Sequence, residues 1–311
     1  MDRFDALQTF IRVVDAGSFS LAAERMGAAK SAVSRRISEL EAHLGVRLMN
    51  RTTRSLSLTE SGRTLYQRAL RLVADLEEAE ATVSTHAAVL KGSLRIAAPL
   101  SFGLLHLGPA INEFAGRHPE VRLFIDFNDR LVDLVEEGFD LAVRIARLQD
   151  SSLIARRITP VREVVCASPA YLDRHGKPTT PDELEGHVCL RYTNLPDASW
   201  QYRAPDGSSG AVKLSTRLEA NNGDYLRDAA IAGIGVVRLP TFIVYKAIES
   251  GDLVPLLEEY SWSDISAYAV YPSARHLSRR VRDFVEFLQS RFGDEPYWDR
   301  CLKSRQRNNG D

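Results

Sequence analysis

The chain has 311 residues and a formal net charge of −1; 44% of its residues are hydrophobic and 26% are charged. This length exceeds one comfortable hydrophobic core and predicts two or three domains. No apolar run approaches the roughly 18 residues that span a bilayer, and the first residues lack the basic and apolar regions of a secretory signal. The three cysteines have no paired spacing for a disulfide framework or zinc. We therefore expect a cytoplasmic protein without membrane contact, metal or cofactor.

The first helices are short and closely spaced. Apolar residues recur with helical periodicity from Phe4 to Val14, and Gly17 ends this first helix. Either Ser18 or Ser20 can cap a second short helix. The turn at residues 27–29 then leads into a third helix.

The third helix combines an apolar stripe with a polar, basic face. The stripe consists of Val33, Ile37, Leu40 and Leu44. The remaining faces carry short hydroxyl residues and cations, and we expect these to contact DNA: Lys30, Ser31, Ser34, Arg35, Arg36 and Ser38. Short polar residues let a helix approach the major groove closely, and arginine can bond guanine or a phosphate. The pattern predicts a helix-turn-helix on double-stranded DNA; a merely solvated charged face is the alternative.

A β-hairpin wing is predicted over residues 46–58, where apolar and polar residues alternate. Arg51 and Arg54 on this wing are expected to contact phosphates. Between Arg25 and Arg63 eight basic residues face only three acidic ones. Such a concentrated patch can neutralise phosphates on a nearly neutral chain, because the field decays within a Debye length of about 10 Å.

A long helix is predicted from Thr59, its N-cap, to residue 91. Apolar positions fall in two interleaved sevenfold rows, with alternating steps of four and three. Such a seam usually joins two chains, and its expected dimerisation residues are Leu65, Leu72, Leu76, Val83 and Leu90. A long helix packed on its own domain is the alternative. A dimer would supply two reading heads for a two-fold related DNA site.

Ordered motifs run through this region: SFSLAA at 18–23, SAVSRRI at 31–37, LExxLG at 40–45, RLMNRTTR at 47–54 and LTESG at 58–62. They resemble the LysR family of transcriptional regulators. The resemblance implies an α/β protein with a mainly α winged helix-turn-helix at 1–58, a linker (dimerisation) helix at 59–91, an effector-binding domain at 92–292 and a tail at 293–311. It also implies a homodimer that pairs into a homotetramer. The implied partners are promoter DNA, a small-molecule effector and RNA polymerase.

From residue 92 onward, strands alternate with helices, which predicts an α/β domain with mainly parallel pairing. The order resembles the family's two-lobed, periplasmic-binding-protein-like domain, in which the chain crosses between lobes twice. We expect the crossings near 161–165 and 266–270. Lobe I then covers about 92–161 and 269–292, and lobe II about 162–268.

Ligands in such folds bind between the lobes, near the ends of strands and the starts of helices. The loop at 99–103 precedes the first helix of the domain, so its free amides, with the Ser101 hydroxyl, predict an anion site. Arg144 closes a strand where its guanidinium could hold a carboxylate. A helix cap at Ser101 and an internal salt bridge at Arg144 are the alternatives. The expected effector is a small organic or aromatic acid, bound by Leu100, Ser101, Phe102, Arg144, Thr193, Asn222 and Gly223.

Two other functional classes are weighed against a regulator. An enzyme is disfavoured because HExxH, P-loop and GxSxG motifs are missing and the histidines lack metal-ligand spacing. The segment 233–238 begins like a dinucleotide loop but ends in arginine, so we interpret it as helix-to-strand packing. A stand-alone solute-binding protein would need an export signal. We therefore expect a regulator without catalytic residues.

Overall fold

The computed structural model describes residues 2–51, 56–83, 89–147, 153–194, 199–262, 265–272 and 277–302. A small helical unit comes first, followed by one long helix and a two-lobed α/β domain. Across those ranges no helix combines the length and apolar character that a bilayer crossing demands. The predicted α/β fold class with an N-terminal helix-turn-helix is confirmed.

Three helices build the N-terminal unit: α1 (Arg3–Ala16), α2 (Phe19–Arg25) and α3 (Lys30–Leu44). Of the two predicted caps for α2, Ser18 is the one used, since its Oγ accepts the backbone N–H of Leu21 at 3.1 Å. Gly17 ends α1 in the left-handed region, at φ 64°. The tight turns follow from these caps and bring all three helices onto one core.

The wing is a two-stranded antiparallel hairpin of β1 (Met49–Arg51) and β2 (Leu56–Leu58). Its base is fastened to α3 by Glu41, whose carboxylate accepts the backbone N–H of Leu48 at 2.8 Å and of Met49 at 3.2 Å. Leu48 and Met49 are themselves buried in the core of the unit. The wing and the third helix therefore move as one body.

The long helix α4 (Glu60–Val83) starts at the predicted cap. Thr59 Oγ1 accepts the Gly62 backbone N–H at 2.9 Å and donates to the Arg47 carbonyl at 2.7 Å. The prediction of a helix to residue 91 is wrong at its far end. Leu90 lies outside the helix and is 4% exposed, in the core of the α/β domain.

The α/β domain contains two mixed five-stranded sheets and a separate hairpin. Its strands are β3 (Gly92–Ala98), β4 (Val121–Phe127), β5 (Leu141–Ala146), β6 (Leu153–Val161), β7 (Glu163–Ala167), β8 (Val188–Tyr192), β9 (Ser199–Arg203), β10 (Ser209–Lys213), β11 (Ser215–Ala220), β12 (Val236–Pro240), β13 (Val254–Leu256) and β14 (Ile265–Pro272). The first sheet has the order β4-β3-β5-β14-β6 and the second β11-β8-β12-β7-β13. Half of each sheet is antiparallel, so the expectation of mainly parallel pairing is only partly met.

Helices cover the two sheets. They are α5 (Leu100–Phe102), continued by a π-helical segment (Gly103–Leu107) and α6 (Gly108–Arg117), then α7 (Leu134–Glu137), α8 (Pro169–His175), α9 (Gly223–Ile231), α10 (Thr241–Ser250) and α11 (Arg279–Phe292). Short 3₁₀ turns span Pro181–Gly186 and Tyr297–Asp299. The largest core combines side chains of both lobes, for example Leu94 of the first with Phe242 of the second.

One of the two crossings between the lobes lies away from its predicted position. Arg162 separates β6 of the first sheet from β7 of the second, as expected near 161–165. The return lies earlier than expected, between Trp262 in the second lobe's core and Ile265, where β14 begins. Residues 265–268 pair with β5 and β6 and therefore belong to the first lobe.

The segment after α11 is not simply a tail. Trp298 is fully buried and Cys301 is 4% exposed, and both belong to the main core. Trp298 lies among Phe102, Phe242 and Phe292, with ring centroids 5.8, 6.3 and 5.5 Å away. The domain therefore extends at least to residue 302, beyond the predicted limit of 292.

Candidate functional site

The outward face of α3 is the most open basic surface of the N-terminal unit. Lys30, Ser31, Arg35 and Ser38 are exposed, and the Arg35 side chain is 81% exposed. Arg35 Nε lies 2.9 Å from Glu39 Oε1 on the next turn, which extends the guanidinium along the helix. An exposed (i, i+4) pair of this kind is weak and is readily exchanged for a phosphate or a base.

Arg36 and Ser34 differ from this set. The Arg36 guanidinium contacts α1 instead, with Nη2 3.0 Å from Asp5 Oδ2 and Nη1 donating to Thr9 Oγ1 at 3.3 Å. Arg36 therefore ties α3 to α1, and its DNA contact stays a prediction. Ser34 is half-buried beside the apolar stripe. Of the wing arginines, Arg51 is described only in its backbone and Arg54 lies outside the described residues.

Two of the predicted dimerisation residues on α4 are exposed on its surface. Leu72 and Leu76 are 55% and 38% exposed, which is unusual for leucines one turn apart on a helix. Leu65 is partly buried against the core of the N-terminal unit, and Leu90 is buried in the α/β domain and not free for a partner. The side chain of Val83 lies outside the described residues.

At the start of α5, two carboxylates of the protein already accept the hydrogen bonds that were expected to hold an anion. Ser101 Oγ donates to Asp224 Oδ2 at 2.5 Å, and the Leu100 backbone N–H donates to Asp129 Oδ1 at 2.9 Å. Asp224 belongs to α9 of the second lobe, so its bond to Ser101 joins the lobes. Arg227 pairs with the same carboxylate at 2.8 Å. The sequence analysis did not single out either acid. Asp224 directly follows Asn222 and Gly223, and Asp129 lies two residues after β4.

The two candidate residues Asn222 and Gly223 lie at the start of α9. Asn222 Oδ1 accepts the Tyr225 backbone N–H at 2.9 Å, which caps the helix. A Cβ on Gly223 would lie 2.5 Å from Ile243 Cδ1, so α9 packs closely on α10 at this point. Together they place Asp224 opposite Ser101.

The remaining candidate effector residues do not lie together. Phe102 is fully buried in the aromatic core, so its predicted effector contact is wrong. Arg144 Nη2 donates to the Val132 carbonyl at 2.8 Å. Thr193 is exposed, and its backbone N–H donates to Ala220 at 2.9 Å. Only Leu100, Ser101 and the Asn222–Asp224 turn meet at one place.

Titratable groups elsewhere are held in unreactive forms. Burial raises the pKa of the Cys166 and Cys189 thiols to about 12. Burial lowers the pKa of His106 to about 4, so its ring is neutral at pH 7. The described ranges contain no group of three His, Cys, Asp or Glu side chains placed to hold a metal.

Comparisons with known proteins cover both parts of the chain. Residues 4–63 match the family described as bacterial regulatory helix-turn-helix protein, lysR family, and residues 87–293 match the LysR substrate binding domain. The transcriptional regulator CrgA of Neisseria meningitidis serogroup C is 37% identical over 291 residues, covering 93% of this chain and 97% of its own. The crystal structure of CrgA from Neisseria meningitidis superposes with a TM-score of 0.59 at 37% identity, over 93% of this chain and 99% of that one. The full-length Vibrio cholerae virulence activator AphB gives 0.58 at 29% identity, over 92% and 98%.

Proposed function

Because the chain belongs to the LysR family of transcriptional regulators, we propose that it reads a specific operator with α3 and adjusts that binding to a small molecule held between its lobes. The observation that carries the DNA-reading role is the open face of α3. Its hydroxyls are short, and Arg35 is 81% exposed in a weak pair with Glu39. A helix with these properties fits the major groove, where arginine distinguishes guanine by its O6 and N7 atoms.

Paired subunits are the second element of the proposal. Leu72 and Leu76 would pack against their copies on a second α4, because an exposed leucine pair gains stability when water is excluded from it. Dimers would pair again through the α/β domains into a tetramer. Such an assembly would act in the cytoplasm, bend promoter DNA and contact RNA polymerase. Its relatives are transcriptional regulators, and we assign it no catalytic step.

Selection from a random duplex library tests the DNA-reading role. The full-length protein is expected to enrich a site with two related half-sites, one or more helical turns apart. Affinity for the winning duplex should fall steeply as salt rises, because each neutralised phosphate releases counterions. Failure to enrich any sequence would contradict the proposal.

We propose a small organic acid as the effector, with the Ser101–Asp224 bond as the element that it changes. An incoming carboxylate would compete with Asp224 for the Ser101 hydroxyl and with Asp129 for the Leu100 amide. Replacing Asp224 breaks a bond between the lobes, so the ligand favours a different lobe arrangement. Arg227 would then retain its second partner, Asp228, at 2.8 Å.

Thermal shift with a panel of small carboxylic acids and their neutral amides tests the effector class. Acids should stabilise the protein and amides should not, and the stabilisation should disappear in Ser101→Ala. Asp224→Asn should bind the same acid more tightly, because the competing charge is removed while the side-chain shape is kept. Stabilisation by the amides alone, or by an acid whose binding ignores both variants, would contradict this assignment.

A further inference from the structure

A second cavity lies beside the crossings between the lobes, away from the Ser101–Asp224 pair. Its volume is about 540 Å³. The first lobe contributes Arg157 and Tyr268, the crossing contributes Arg162, and the second lobe contributes Tyr260 and Trp262. None of the effector candidates named above lines it. The cavity therefore offers a separate site formed by both lobes.

Two guanidinium groups give this cavity its positive character. The side chains of Arg157 and Arg162 are 50% and 58% exposed. Their acidic neighbours are distant for hydrogen bonds, with Asp294 Oδ1 3.6 Å from Arg157 and Asp299 Oδ2 3.4 Å from Arg162. Each guanidinium has five N–H donors in all, so both can bind a further anion.

The two acids that line the cavity are not equivalent. The Glu163 side chain is 6% exposed and lies 3.6 Å from Arg238, whose side chain is 10% exposed and balances its charge. Glu258 is exposed at the rim. The inner part of the cavity therefore retains a preference for anions.

An aromatic wall completes the site. Trp262 is 4% exposed, and its indole Nε1 is buried without an acceptor among the residues that the structure describes. A ligand in the cavity therefore meets the indole ring of Trp262 and not its N–H, which solvent does not reach. Tyr260 and Tyr268 add ring surface to the same lining.

We infer that this cavity binds a second small molecule, an aromatic carboxylate. Its carboxylate pairs with Arg162 and Arg157, and its ring packs on the tyrosines and Trp262. The lining comes from both lobes, so the occupant binds with an affinity that depends on how the lobes are placed. The site therefore gives the protein a second ligand input that does not pass through Ser101.

Isothermal titration of the full-length protein with 2-naphthoate tests the inference, with the neutral 2-naphthamide as the matched probe. The carboxylate should bind and the amide should bind at least ~10-fold more weakly, since a charge-assisted hydrogen bond is lost. Arg162→Gln and Arg157→Gln should each weaken 2-naphthoate binding by ~10-fold. Trp262→Phe should weaken it less, because the smaller phenyl ring keeps part of the aromatic lining.

Two control variants separate this cavity from other sites. Arg156 directly precedes Arg157 on β6 and is exposed, but it does not line the cavity. Arg156→Gln therefore removes an equal charge and should leave binding unchanged. Ser101→Ala at the other site should also leave it unchanged. The inference is overturned if 2-naphthoate does not bind at millimolar concentration. It is also overturned if Ser101→Ala abolishes binding, or if Arg156→Gln and Arg162→Gln weaken it equally.

Discussion

Trp298→Ala should strongly destabilise the α/β domain. The indole is fully buried, and its ring centroid lies 4.5 Å from His106 and 5.5 Å from Phe292. Removing a large aromatic side chain from such a core loses its transfer free energy and leaves a cavity, together about 3–5 kcal/mol. With a urea m-value of about 3 kcal/mol/M, the unfolding midpoint should fall by about 1–2 M.

Urea unfolding followed by tryptophan fluorescence measures this loss in the right domain. The chain has 3 tryptophans, and the first of them is Trp200, so the signal excludes the N-terminal unit. In the variant, Trp200 and Trp262 continue to report on the second lobe. Tyr225→Ala is the control, because Tyr225 is 55% exposed and its loss should cost below about 0.5 kcal/mol. Equal midpoints for the two variants would refute the packing of residues 293–302 on the domain.

Three further predictions concern other parts of the molecule. Gly62→Ala should destabilise the N-terminal unit by about 1–3 kcal/mol in thermal unfolding, because the new Cβ would lie 1.9 Å from the Leu48 carbonyl oxygen. Acid should weaken the α/β domain: below pH 6.5 the unfolded state protonates His106 while the folded state stays neutral down to about 4. The resulting loss of unfolding free energy is about 3 kcal/mol between those pH values, and His106→Gln should remove it. Leu72→Glu should split the proposed tetramer into dimers joined through the α/β domains in sedimentation, because a charge would enter the proposed Leu72–Leu76 contact.

Each of these three predictions would be contradicted by a specific result. Unchanged melting of Gly62→Ala would mean that α4 does not approach the wing as described. A pH profile that is the same with and without His106 would exclude that ring as the source of acid sensitivity. A Leu72→Glu protein that sediments like the parent would place the dimer contact elsewhere.

Local signals predicted the N-terminal unit well. Ser18, Gly17 and Thr59 act through hydrogen bonds or backbone angles within a few residues, and such contacts can be inferred from the sequence order itself. The sevenfold rows of α4 failed at Leu90 because periodicity does not show when an apolar residue joins another domain's core.

Tertiary packing explains the other differences. Phe102 follows a predicted binding loop, yet the π-helical segment beyond it and the buried Trp298 draw its ring into the core. The β9–β10 hairpin was missed although Asp206-Gly207 gives a turn signal, because charged and polar residues obscure its alternation. Asp129 comes within reach of α5 only once the first lobe is folded, and Asp224 only once both lobes are.

The most direct test of DNA reading by α3 repeats the duplex selection with Arg35→Ala. If Arg35 bonds a base, the variant loses preference at one position in each half-site, symmetrically, and keeps the remaining preferences. Affinity for the parent site should fall by about 1–3 kcal/mol. An unchanged site preference, with binding merely weakened on every sequence alike, would contradict base reading by this residue and reduce Arg35 to a phosphate contact.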